Sequence, residues 1–120
     1  SCGVRVKLSW FNQNPFRSMY FAVEAMAAEM SCGMLAFGQV YKRQPAVSML
    51  VEKLEAKFVK KATGVIIFTC EDGDALRYTV NEALTNPAGT KLQVTSIGRN
   101  QAGEIVAEFD FTWTFKAKNL

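Results

Sequence analysis

The sequence predicts one α+β domain in which a long apolar helix is wrapped by a mostly antiparallel sheet of about five strands. Three observations lead to this prediction. Residues 18–39 have hardly any polar face at helical spacing, so most of this helix must be buried. Several later stretches alternate apolar and polar residues, as strands do. Short turns join most of these stretches, which favours antiparallel pairing and segregates helix from sheet.

The predicted helix carries two neighbouring stripes of side chains. At about 100° per residue, the first stripe collects bulky residues: Met19, Val23, Met26, Met30, Met34 and Phe37. The second stripe collects small ones: Ala22, Ala25, Cys32, Gly33 and Ala36. We expect the methionine stripe to pack in the core, which is the commonest use of such side chains.

Two glutamates on this helix differ in their surroundings. Glu29 lies within the small stripe, where another backbone or a ligand could approach closely. Glu24 lies about 140° further round the helix, near Tyr20, Ala27 and Ser31, where we expect a solvated charge. A lone buried carboxylate is costly unless it is paired, hydrogen-bonded or used. Glu29 is therefore the candidate for chemistry, and a structural acid held by backbone donors or by a lysine of a partner chain is its alternative.

Residues 1–70 also contain three predicted strands. One begins at Val4 and ends in Trp10 and Phe11, with alternate residues facing inward. Residues 48–59 form the second, where β-branched and aromatic flanks favour strand over helix. Residues 64–70 form the third. Both of its faces are apolar, so we expect it in the middle of the sheet or at a subunit contact.

The rest of the chain contains a short helix and two strands. We predict the helix over residues 75–84, a strand over 91–99 and a hairpin turn at 100–103. The last strand has the clearest alternation, with four aromatic residues on one face: Phe109, Phe111, Trp113 and Phe115. These rings are enough to cover one side of a long helix.

Composition narrows the possible functions. With 120 residues, we expect a single domain over residues 1–120, and because the chain opens at Ser1 inside an alternating run, we expect natural residues upstream. The net charge of +3 comes from scattered residues, apart from Lys57, Lys60 and Lys61, here called the basic cluster. This cluster is either a solvated rim or a site for a phosphate-bearing ligand such as coenzyme A, and nucleic acid is not indicated.

The absence of histidine is the most restrictive count. It excludes Ser-His-Asp and Cys-His relays and histidine metal ligands, so acid and base chemistry falls to carboxylates, lysines, tyrosines or water. We expect no metal. Three cysteines without paired spacing favour a reducing compartment, and Cys32 is read as a core residue. The cysteines therefore lead us to expect a cytoplasmic protein. No run reaches the ~18 apolar residues of a membrane span, so no membrane partner is expected.

The stretch around the start of the long helix resembles a known enzyme pattern. Asn14, Tyr20-Phe21-Ala22 and Glu29 are similar to the Asn … His-Gly-Gly … Asp/Glu pattern of hotdog acyl-CoA thioesterases of the phenylacetate-pathway type. Tyr20 replaces the histidine, six residues after Asn14 and nine before Glu29. The segments N-P-F-R-S-x-Y-F-A and A-A-E-M-S-x-G resemble sequences of an uncharacterised bacterial branch of these proteins.

The resemblance implies a hotdog fold and a role for each matched residue. Glu29 would act as general base or nucleophile in hydrolysis of an acyl-CoA or similar thioester. Asn14 would orient water or the carbonyl, or would only cap the helix. The backbone N–H groups of Phe21 and Ala22 would stabilise the oxyanion. Tyr20 would donate to a ligand or simply pack.

The resemblance also implies an assembly. We expect a homodimer that could pair further into a tetramer, with Glu29 and Asn14 from one chain facing Ser48 and the basic cluster of the other. Coenzyme A would enter as part of the substrate, and no other cofactor is expected. The alternative is a non-catalytic hotdog module that binds an acyl or other hydrophobic ligand.

Overall fold

The computed structural model of the protein describes residues 1–7, 19, 21–42 and 46–118. Its elements in chain order are β1 (Cys2–Lys7), α1 (Phe21–Val40), β2 (Val47–Phe58), β3 (Val65–Cys70), α2 (Gly73–Ala83), β4 (Thr90–Arg99) and β5 (Ile105–Ala117). Each element that the sequence predicted is present, and most bounds agree to within two residues. The predicted end of the first strand at Trp10 and Phe11 lies outside the described residues.

The five strands form one sheet in the order β1-β3-β4-β5-β2, and every neighbouring pair is antiparallel. Helix α1 packs against all five strands, while α2 packs on α1, β4 and β5. A long helix held in a curled antiparallel sheet is the hotdog fold, so the predicted fold is confirmed. The third strand also lies inside the sheet, as its two apolar faces indicated.

The aromatic face of β5 forms the centre of the core. Phe109, Phe111, Trp113 and Phe115 are all buried, as their alternation predicted. The ring of Phe109 meets that of Phe68 on β3 edge-on, with 5.8 Å between centroids. Such edge-to-face contacts stabilise aromatic clusters beyond the area that they bury. These rings therefore join β3 and β5 beneath α1.

Helix α1 turns its small residues, not its methionines, toward this aromatic surface. Ala28, Cys32 and Ala36 are fully buried. The exposed fractions on the other stripe are 67% for Met26, 54% for Met30, 56% for Met34 and 49% for Phe37. The expectation that these four side chains pack in the core is therefore wrong for the chain alone. Large rings on the sheet leave room only for small residues on the helix, because interiors are close-packed.

A polar contact fixes α1 within this apolar core. The hydroxyl of Ser31 lies 2.7 Å from that of Ser96 on β4, and it also donates to the carbonyl of Ala28 at 2.7 Å. Both serines are fully buried. Buried hydroxyls need such partners, so this pair sets the position of α1 along the sheet.

Helix α1 is long and apolar enough to cross a membrane by length and composition alone, with a mean hydropathy of 1.2 over its 18-residue window. It is the only helix of this kind in the described part of the chain. The core helix of a soluble protein meets the same criterion, and one third of that window is buried against the sheet here.

Strands β1 and β2 are the two edges of the sheet. Strand β2 contains a bulge, since Val51 pairs with Trp113 and Lys53 with Thr112, leaving Glu52 unopposed. Beyond the bulge, β2 is exposed on both faces up to Phe58. Lys53 and Glu55 form an ion pair of 2.7 Å on this edge.

Candidate functional site

Two pockets lie against α1, and the predicted site residues are divided between them. Glu29 lines the first, a cavity of ≈ 460 Å³ on the outward face of the helix. The other lining residues are mostly apolar: Met26, Met30, Gly33, Met34, Phe37, Met49 and Trp113. Glu29 itself is exposed in the single chain. The desolvated setting expected for this carboxylate would therefore have to come from a ligand or a partner chain.

The first pocket, here called the methionine pocket, has the properties of an acyl-chain site. Three unbranched methionine side chains can adapt to irregular apolar shapes. The ring of Trp113 packs beneath Gly33, at 3.6 Å from where a Cβ would lie. The indole Nε1 of Trp113 is buried with no hydrogen-bond partner among the described residues. A contiguous exposed apolar patch of this kind marks a binding surface.

The second pocket, here called the N-terminal pocket, lies where α1 begins. Its volume is ≈ 410 Å³, and its lining residues are Met19, Phe21, Glu24, Phe58, Val59, Lys60 and Lys61. The N–H of Met19 donates to the carbonyl of Ala62 at 2.9 Å, which fixes the segment after β2 beside the helix start. The rings of Phe21 and Phe58 meet edge-on at 6.2 Å.

The N-terminal pocket brings together residues that the sequence assigned to separate roles. Phe21 is the first residue of α1, and Lys60 and Lys61 belong to the basic cluster. The first N–H groups of a helix have no partner within it, and the positive end of the helix dipole lies there. The pocket therefore offers an anion two sources of positive potential, one from the helix and one from the lysines.

Glu24 is the residue that sequence reasoning misplaced. It was expected to be solvated, yet only 4% of it is exposed, and its Oε1 has no hydrogen-bond partner in the described part of the structure. Burial raises the pKa of this carboxyl from 4.5 to about 7. The available signal was its spacing of three and seven residues from Ala27 and Ser31, since both lie on the face that the sheet buries.

The other predicted site residues lie apart from both pockets or outside the described residues. Lys57, the third member of the basic cluster, is exposed near the end of β2, while Lys60 of the N-terminal pocket forms an ion pair with Glu104. Ser48 is exposed at the other end of β2, about 30 Å from Lys57 by strand geometry, and donates to the carbonyl of Lys116 at 3.2 Å. Asn14 and Tyr20 lie outside the described residues.

The described residues were also compared with the requirements of a metal site. Among residues 1–7, 19, 21–42 and 46–118, no group of three histidine, cysteine, aspartate or glutamate side chains is placed to hold a metal ion. All three cysteines are free. The arrangement supports chemistry that needs a carboxylate, helix N–H groups and an apolar pocket.

The fold is similar to those of several solved structures. A protein of unknown function from Pseudomonas aeruginosa, described as a probable thioesterase, matches with a TM-score of 0.82 and 21% identity, over 96% of this chain and 75% of that chain. A candidate thioesterase from Shewanella oneidensis matches with a TM-score of 0.76 and 13% identity, over 95% and 76% of the two chains. A Bacillus halodurans protein solved with CoA matches with a TM-score of 0.71 and 14% identity, over 94% and 66%.

Sequence comparison gives the family. No curated protein matches the chain significantly. The family model described as a domain of unknown function, DUF4442, matches residues 1–115. Because this match spans nearly the whole chain, the protein is a member of the DUF4442 family, and its domain has the hotdog fold.

Proposed function

We propose that this protein hydrolyses acyl thioesters of coenzyme A or a similar carrier, with Glu29 as general base or nucleophile. The observation that carries the proposal is the position of Glu29, an exposed carboxylate on an apolar pocket of ≈ 460 Å³. The solved structures described as thioesterases, and the similar protein solved with CoA, support the same class of substrate. A particular relation to the phenylacetate-pathway type stays a prediction.

In this proposal the methionine pocket holds the acyl group. The thioester carbonyl accepts hydrogen bonds from the N–H groups of Phe21 and Ala22, where the helix N-terminus stabilises the developing oxyanion. Glu29 then attacks the carbonyl carbon or removes a proton from water. The basic cluster binds the phosphates of the carrier.

A single chain does not supply this whole site. Glu24 and Glu29 are separated by about 7.5 Å along α1 and about 140° round it, so the two pockets open on different sides of the helix. We therefore propose a two-fold homodimer, which could pair further into a tetramer, with the methionine pocket of one chain beside the N-terminal pocket of the other. Burial of the exposed methionine face would drive this assembly.

The location of the protein is a further part of the proposal. All three cysteines are free thiols, and Cys32 and Cys70 are fully buried. Free thiols are typical of a reducing compartment. We propose a soluble cytoplasmic protein.

A hydrolysis screen over acyl-CoA esters of graded chain length tests the proposed function. We expect turnover of at least one ester and a fall of about 100-fold or more for Glu29→Gln, which keeps the size of the side chain but removes the base or nucleophile. Glu82→Gln, at an exposed acid on α2, is the matched control and should be unchanged. An ester series that is bound but never hydrolysed would instead favour the non-catalytic ligand-binding module.

A further inference from the structure

We propose that Glu24 is a second catalytic carboxylate of the thioester site, the base that removes a proton from the attacking water, and that Glu29 is consequently the nucleophile. This inference rests on the proposed function and extends it. It chooses between the two roles that the sequence left open for Glu29, and it assigns a function to a carboxylate that the resemblance does not include.

The first support is the setting of Glu24 within the N-terminal pocket. The residue is 96% buried, yet it lines a pocket that opens to solvent, and its Oε1 lacks a partner among the residues described. Buried polar atoms in native proteins nearly always have a partner, because leaving one unpaired costs free energy. A carboxylate oxygen kept unpaired beside an open pocket is placed to accept a proton from a molecule that enters it.

The second support is the distance along the helix between Glu24 and the expected oxyanion donors. Phe21 and Glu24 are three residues apart, hence on one face of α1, and both line the same pocket. A carbonyl whose oxygen accepts from the first N–H groups of α1 would have its carbon within reach of a water held by Glu24. Glu29 lies on another side of the helix and would reach that carbon only from a partner subunit.

The charges around Glu24 are consistent with a proton acceptor that works near neutral pH. Among the described residues, Lys60 and Lys61 are the charged groups that line the pocket with it, and Lys60 is already paired with Glu104. On β1, which also packs against α1, Arg5 and Lys7 occupy the exposed positions of the alternation. Burial is the largest influence on Glu24 and raises the pKa of its carboxyl to about 7. A base with a pKa near the working pH is the most effective one.

The two carboxylates would divide the reaction into two balanced steps. In the first, a carboxylate oxygen of Glu29 of the partner subunit bonds to the thioester carbon, the C–S bond breaks and the thiolate leaves, giving an acyl anhydride of Glu29. In the second, Glu24 removes a proton from water while the water oxygen bonds to the acyl carbon. The anhydride C–O bond then breaks, which releases the carboxylic acid and restores Glu29. The proton on Glu24 passes to the thiolate, directly or through solvent.

The test is the time course of thiol release by the dimer with an acyl-CoA ester that the parent hydrolyses. Glu24→Gln should release one thiol per site in a rapid burst and then turn over about 100-fold more slowly than the parent, because only the water step has lost its base. The parent should show kcat, which includes the water step, rising with pH to a plateau above about pH 7. Glu24→Asp, which retains a carboxylate, should keep this rise without the burst, and Glu82→Gln should behave as the parent.

The possible outcomes separate the proposed role of Glu24 from the proposed thioesterase function. Turnover by Glu24→Gln within threefold of the parent, with an unchanged pH profile, would overturn the inference and leave the proposed function intact. Slow turnover without a thiol burst would also overturn it, because Glu24 would then act before or during the first step. A parent that hydrolyses no thioester would refute the proposed function, and the inference with it.

Discussion

The hydroxyl groups of Ser31 on α1 and Ser96 on β4 lie 2.7 Å apart in the fully buried core. They form a direct side-chain hydrogen bond between the central helix and the sheet across an otherwise apolar contact. Apolar contacts are not directional, so they would let the helix slide along the sheet. A hydrogen bond is directional and does not. The pair therefore selects one register of the helix against the strands.

Removing one hydroxyl of this pair should lower the free energy of unfolding more than removing both. Ser31→Ala leaves the Ser96 hydroxyl buried without a partner, which costs about 1 to 3 kcal/mol of unfolding free energy. The double variant Ser31→Ala with Ser96→Ala removes both polar groups and should be less destabilised than the sum of the single variants. Urea unfolding of the four proteins measures this coupling. Strict additivity would show that the hydrogen bond contributes nothing.

The buried carboxyl of Glu24 should make stability depend on pH in a definite direction. Its pKa is 4.5 when unfolded and about 7 when folded, so between these values the folded state binds the proton more tightly. Stability is fully retained below pH 4.5 and falls as pH rises to about 7, by about 3 kcal/mol from this group. Glu24→Gln should abolish that part of the fall, whereas Glu82→Gln should not. Parallel pH curves for the parent and Glu24→Gln would contradict this expectation.

Two glycines offer a matched comparison of steric demand. A Cβ at Gly98 would lie 2.5 Å from the ring of Phe68, which is fully buried, whereas no atom of the described residues lies within 4 Å of a Cβ at Gly38. Gly98→Ala should therefore destabilise the fold by about 1 to 3 kcal/mol. Gly38→Ala, inside α1, should stabilise it by about 1 kcal/mol. Thermal unfolding of both variants checks the pair, and equal effects would refute the close packing at Gly98.

The exposed methionine face should mediate assembly. Met30 lies near its centre, so Met30→Lys should shift the protein toward monomer by placing a charge in the apolar contact. Tyr78→Lys on α2 is the control, because Tyr78 is at least as exposed, at 68% against 54%, but lies away from this face. Light scattering over a range of concentrations measures both. A parent that stays monomeric at micromolar concentration would refute the proposed dimer.

Much of the fold followed from periodicity, but the orientation of the central helix did not. The alternation of β5 predicted a buried aromatic face because its other face is polar, and the structure buries Phe109 to Phe115 accordingly. Helix α1 has no such contrast, since both its stripes are apolar. Which stripe faces the sheet depends on the volume of sheet rings such as Phe68 and Phe109. The sequence pattern of the helix itself contains no information about that volume.

Glu24 was misplaced for the same reason, since the helix sequence did not show which face packs on the sheet. Its position on the helix was predicted correctly, beside Ala27 and Ser31, but that face was taken as the solvated one. Once large rings on the sheet select the small residues of α1, Glu24 is buried with them. The assigned partners Asn14 and Tyr20 lie outside the described residues, so the Asn14, Tyr20 and Glu29 constellation stays a prediction.

The bulge in β2 has a consequence for the solubility of the protein during folding and storage. An edge strand with regular pairing is a template on which further chains can add without limit, leading to fibres. Glu52 interrupts the ladder in the middle of β2, and Lys53 and Glu55 place charges directly after it. A segment that docks along this edge must match an irregular, charged ladder, which a chance strand from another molecule does not. The edge therefore resists open-ended growth of the sheet.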